Sequence, residues 1–118
     1  MAALKMAACT AMLVCVMLVV AAHVDATLTC GEITNLLSPC IGYAIFGGTV
    51  PTICCDGLKA LHAASNGTAD DRASCSCIMK GLSGIPGINY DLVGTLPETC
   101  GTTCRYKITP TTDCSKVD

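Results

Sequence analysis

Among residue types able to do chemistry, cysteine dominates this chain, with eleven in 118 residues. A cysteine can serve as nucleophile, metal ligand or half of a disulfide, and its surroundings separate these uses. Nucleophilic catalysis needs a base beside the sulfur or hydroxyl. The chain has only His23 and His62 as histidines, and no Cys/His or Ser/His/Asp signature appears. Structural zinc favours paired C-x2–4-C knuckles, whereas the close pairs here are adjacent, Cys54-Cys55, or one apart, Cys75-Ser76-Cys77. Disulfides remain, and they imply an oxidising compartment. Asp70 and Asp71 fall at an expected helix start, where carboxylates complement the helix dipole. They are not read as an acid/base pair, and His62, alone on a helix, is read as a surface or packed residue. No catalytic residue, metal ligand or cofactor site is assigned. Asn66-Gly67-Thr68 is a formal glycosylation sequon.

Composition divides the chain at residue 26. Lys5 is the only charge before Met6–Ala22, a run that is small or apolar throughout except for Thr10. Val24-Asp25-Ala26 then supplies short residues for cleavage after Ala26. This layout predicts a signal peptide over 1–26 and one domain over 27–118. A membrane anchor is the other reading of so apolar a run, but no basic stop-transfer flank follows it. The polar stretch Thr109–Asp118 offers no hydrophobic tail for a lipid anchor. Residues 27–118 carry six basic and eight acidic side chains. That balance argues against nucleic acid, whose phosphates need clustered cations, and makes attack on anionic membranes a weak reading. The expected location is secreted, in the extracellular space or cell wall.

The periodicity of 27–118 is helical. Ile33, Leu36, Leu37, Cys40, Ile41, Ala44 and Ile45 fall on one face of a predicted helix. Gly47-Gly48 should end it, and Pro51 permits the next start. Cys54, Cys55, Leu58, Leu61 and Ala64 share a side of a second helix, closing at Asn66-Gly67. Thr68-Ala69-Asp70-Asp71 reads as a variant capping box, with Thr68 as cap and Asp71 reaching back. The third helix carries Ala73, Cys77 and Ile78 and stops near Gly81–Gly84. A short fourth helix is expected around Asp91–Leu96, ended by Pro97, and Glu98–Asp118 should be irregular. The fold class is all-α.

Filling such a fold is a problem for this composition. The only large rings after residue 26 are Tyr43, Phe46, Tyr90 and Tyr106, and aromatics normally supply much of a small core. Disulfides worth roughly 2–4 kcal/mol each could hold a shell whose middle is not packed solid. Aliphatic walls would then suit an aliphatic ligand. A tight Leu/Ile/Ala core is equally compatible with composition.

The cysteines run Cys30-x9-Cys40-x13-Cys54-Cys55-x19-Cys75-x-Cys77-x22-Cys100-x13-Cys114, with Cys104 outside the pattern. Spacing leaves 105 pairings of eight cysteines open. The skeleton resembles the eight-cysteine plant proteins, and in particular the type 1 non-specific lipid transfer proteins. Leu37-Ser38-Pro39-Cys40-Ile41-Gly42-Tyr43, Pro51-x-x-Cys54-Cys55-x-Gly57 and Tyr106-Lys107-Ile108-Thr109-Pro110 carry the resemblance further, as do the hydrophilic Ser76 and the lack of tryptophan.

This resemblance implies a four-helix right-handed bundle, stapled by disulfides, with a long C-terminal segment over a hydrophobic tunnel. It implies the pairs Cys30–Cys77, Cys40–Cys54, Cys55–Cys100 and Cys75–Cys114. It further implies a carrier without cofactor that binds fatty acids, lysolipids and phospholipids and touches membranes transiently. By position the walls would include Ile33, Leu37, Ile41, Leu58, Leu61, Ile78, Val93, Leu96 and Ile108, with Tyr106 at the mouth.

The chain departs from the family pattern at three places. The basic residue four before the CxC is Asp71 here, with Arg72 one step later and still a candidate for the lipid headgroup. The family's Pro-Tyr is Arg105-Tyr106, making Arg105 a candidate partner for a lipid phosphate or carboxylate. Cys104 replaces an aliphatic wall residue and is expected as a buried, inert thiol in a monomer; a disulfide-linked dimer through it is the alternative. The competing functions are an amylase or protease inhibitor on the related skeleton and a lipid-dependent defence protein.

Overall fold

The first helical run breaks where Pro39 interrupts it. In the computed structural model, which describes residues 28–118, α1 spans Cys30–Leu37 and α2 spans Ile41–Phe46, joined by a 3-10 turn at Ser38–Cys40. The continuous helix expected from Ile33 to Ile45 is therefore two pieces. Proline has no N–H for the carbonyl four residues back and its ring crowds that carbonyl. The carbonyl concerned is that of Asn35, and the Ser38 hydroxyl donates to it instead at 3.2 Å. The predicted leader over 1–26 lies outside the described residues.

Gly47 and Gly48, with φ of +71° and +90°, turn the chain away after α2, and the Gly47 N–H closes the helix on the Tyr43 carbonyl at 2.8 Å. Such backbone favours residues without a Cβ. Helix α3 (Thr52–Ala64) follows Pro51, whose fixed φ suits a helix entry.

Helix α4 (Thr68–Ser83) begins differently from the expected capping box. Gly67 occupies the cap and Thr68 already lies in the helix, with no side-chain cap bond. The carboxylate that reaches back belongs to Asp70, whose Oδ2 accepts from the Asn66 N–H at 2.7 Å. Asp71 is turned inward.

Helix α5 runs Tyr90–Thr99, longer at both ends than expected. The Asn89 side chain caps it by accepting from the N–H groups of Asp91 and Leu92. Pro97 sits inside it. The proline removes only its own N–H, and the next turn still forms, with Cys100 N–H donating to Leu96 at 2.9 Å. The bond from Cys55 to Cys100 also ties this end to α3. Beyond it the chain is irregular until a 3-10 turn at Cys114–Lys116. Among the described residues no strand forms and no helix is long and apolar enough to cross a membrane.

Four disulfides fix how these pieces sit together. Cys30–Cys77 joins α1 to α4, and Cys40–Cys54 joins the first 3-10 turn to α3. Cys55–Cys100 joins α3 to α5, and Cys75–Cys114 ties the C-terminal segment to α4. Each links a different pair of elements, so the frame closes without a large central core.

The burial pattern shows what that permits. Ile33, Ala44, Leu61, Leu96, Ile108 and Val117 are buried, yet among the described residues the largest fully buried side chains are just the half-cystines Cys54 and Cys75. One cluster gathers Cys40, Cys54 and Leu96 with Tyr43, Val50 and Leu58. The other gathers Cys75, Ile108 and Val117 with residues that include Ile78, Leu82, Val93 and Tyr106. These residues pack in two groups around cystines, and buried Ile33, Ala44 and Leu61 belong to neither.

Candidate functional site

Between these clusters lies a cavity of about 170 Å³, lined by residues of both. Helix periodicity explains why. Ile33 and Leu37 of α1, Ile41 and Ala44 of α2, and Leu58 and Leu61 of α3 each recur at three or four residues and present one stripe inward. Ile78 comes from α4, Val93 and Leu96 from α5, and Ile108 from the C-terminal segment. Every aliphatic wall residue expected from the sequence lines this space. Leu82 and Ile85 line it as well; Leu82 stands four residues after Ile78 on the same helical stripe, a signal the sequence offered, whereas Ile85 lies just past the end of α4, where helical periodicity gives no signal.

One part of the wall is polar. Tyr106 and Arg105 both line the cavity, and nearly half of the Arg105 side chain, 45%, is exposed. Arg105 therefore sits where the cavity meets solvent. Its Nη1 donates to Asp71 Oδ2 at 2.9 Å, and Asp71 is only 4% exposed. Beside this pair the hydroxyls of Ser74 and Tyr106 lie 2.6 Å apart. Ser74 spends its single proton on the Asp71 carbonyl at 3.1 Å, so Tyr106 donates to Ser74 and its ring faces the cavity. Burial is the largest cause of the shift that pushes the Tyr106 hydroxyl up to about 12. Tyr106 is thus a neutral donor at ordinary pH.

Two expectations fail here. Arg72 does not line the cavity: its Nε donates to the Val117 carbonyl at 2.8 Å, holding the C-terminal segment to α4. One residue turns a helix by about 100°, so Asp71 faces the cavity and its neighbour cannot. Among the described residues Cys104 is free, but it is exposed rather than buried as expected. It lines the cavity with one side packed, and that packing raises its thiol pKa despite the opposing backbone hydrogen bond at Tyr106. His62 is exposed near the end of α3 and also borders the cavity. Asp71 and Ser74 were missed as site residues. Nothing in the sequence pairs Asp71 with Arg105, 34 positions away.

Known proteins share both the pattern and the shape. The protease inhibitor/seed storage/LTP family profile matches residues 30–114. A non-specific lipid-transfer protein of Helianthus annuus is 42% identical over 100 residues, covering 85% of this chain and 86% of its own length. The hazelnut allergen Cor a 8 superposes with a TM-score of 0.74 at 40% identity, over 78% of this chain and all of its own. Wheat non-specific transfer protein, solved in complex with two molecules of phospholipid, superposes at 0.70 with 33% identity, over 76% of this chain and all of its own. With its four cystines, hollow helical frame and this degree of identity, the chain belongs to the non-specific lipid-transfer proteins of that family.

Proposed function

We propose that this protein is a secreted carrier that reversibly takes up the acyl chains of fatty acids, lysolipids and phospholipids and moves them between membranes or to the cell surface. The observation that carries the proposal is the aliphatic cavity of about 170 Å³ in a frame held by four disulfides. The wheat relative's complex with phospholipid supports the same reading. Burying a methylene is worth about 0.8 kcal/mol, and a lipid leaving a bilayer gives up nearly the same amount. Net transfer is then close to neutral, which a reversible carrier needs. The contacts along the chain are non-directional, so chain binding tolerates varied headgroups. In this reading Ile33, Leu37, Ile41, Leu58, Leu61, Ile78, Val93, Leu96 and Ile108 grip the chain, and Tyr106 and Arg105 meet the headgroup.

The disulfides call for an oxidising compartment, so we assign residues 1–26 as the secretion signal, with the protein acting as a monomer outside the cell. The test is displacement of a fluorescent fatty acid from the purified, oxidised protein. Micromolar displacement by lipids of varied headgroup is expected. Inhibition of an amylase or protease without any displacement would overturn the carrier in favour of an inhibitor.

A further inference from the structure

The ion pair between Asp71 and Arg105 at the cavity has an unusual division of exposure. Asp71 is almost entirely buried, while Arg105 is half in solvent. A guanidinium has five N–H donors, and Arg105 gives one hydrogen bond to protein, from Nη1 to Asp71. A lipid oxygen at the opening can accept from the outward donors of Arg105, but it then shares that cation with a carboxylate on the far side. Arg105 cannot leave Asp71 to serve the ligand alone, because a buried carboxylate stripped of its partner is costly. The neighbouring cation, Arg72, is held on the Val117 carbonyl away from the cavity wall.

We infer that Asp71 is a specificity-determining residue, and that the Asp71–Arg105 pair makes the opening favour uncharged headgroups over free carboxylates. An ionised fatty acid brings a second negative charge to a cation already neutralised. A glycerol ester uses the same outward donors without that repulsion. This rests on the carrier reading above and adds to it the class of headgroup preferred.

The experiment compares laurate with 1-monolauroylglycerol, titrated into the intact oxidised protein and its Asp71→Asn variant. Working at pH 8 keeps laurate ionised. Asparagine keeps the shape of the side chain and an oxygen for Arg105 while removing the charge. Asp71→Asn should raise the affinity for laurate relative to monolauroylglycerol about tenfold, the effect of one unit charge at close range in a partly wet site. Equal changes for both ligands, or none for either, would overturn the inference while the carrier reading stands. Failure of the unmodified protein to bind either ligand would remove both. A second measurement needs no variant: laurate affinity of the unmodified protein should change less than about twofold as salt is raised from low to physiological strength, because the pair presents no net charge to screen. A fall of fivefold or more would reveal an unopposed cation and refute the inference.

Discussion

Gly57 is where the frame tolerates least, and Gly57→Ala is the sharpest test of how the cavity walls are held. Gly57 is buried in α3, and α1 passes directly over it. A Cβ added there would overlap the carbonyl oxygen of Leu36 and lie 2.9 Å from its carbonyl carbon. Carbon atoms rest about 3.5–4.0 Å apart, so the helices must separate by at least about 0.6 Å, and by more for the oxygen. The atoms met are backbone, which cannot swing aside. The 3-10 turn that follows α1 is tied to α3 by Cys40–Cys54, which opposes opening. Overpacking a core typically costs about 1–3 kcal/mol, and a rigid seam belongs at the upper end. A loss of about 3 kcal/mol lowers the melting temperature of a domain this size by roughly 12–24 °C. Alanine is otherwise the better helix former by about 1 kcal/mol, so a purely local view expects a stabilised protein. Thermal unfolding of both proteins by circular dichroism, disulfides intact, decides between them. A variant melting at or above the parent temperature would refute the account of the α1–α3 seam.

Two further outcomes concern the polar part of the cavity. Because the folded state raises the Tyr106 hydroxyl to about 12, above the ordinary value near 10, folding favours its protonated form. That contribution is complete below about pH 10 and is lost as pH rises through 12. Chemical denaturation at pH 9 and 12 should therefore show a larger alkaline loss in the parent than in Tyr106→Phe; equal losses would contradict the environment described for Tyr106. Cys104 is exposed enough for reagent to reach, yet its thiol pKa is raised, chiefly by burial. Iodoacetamide should modify it slowly at neutral pH, the rate should keep climbing beyond the ordinary thiol midpoint, and bound lipid should slow it further. A rate that levels off below that midpoint would point to a thiolate stabilised by Arg105, contrary to the balance found here.

Much of this molecule follows from local chemistry that a sequence displays. Three- and four-residue spacing put Ile33, Leu37, Ile41, Leu58, Leu61 and Ile78 on inward stripes, and Gly47-Gly48 and Gly84 bound their helices, because side-chain direction and backbone freedom are set within a turn or two. Where neighbours compete for the same group, local reading erred. The Asn35 carbonyl took the Ser38 hydroxyl at the Pro39 break, and Asp70 rather than Asp71 reached back at the start of α4. Cysteine spacing by itself left every pairing open; the family resemblance implied the four pairs, and the approach of distant helices forms those same four. The tertiary structure decided that the interior is hollow, because the same Leu, Ile and Ala content could have packed solid. The Asp71–Arg105 pair belongs to that second kind of fact: a one-residue rotation on α4 turned a carboxylate to the cavity and Arg72 to the C-terminal segment, and an arginine from a distant loop came to meet it.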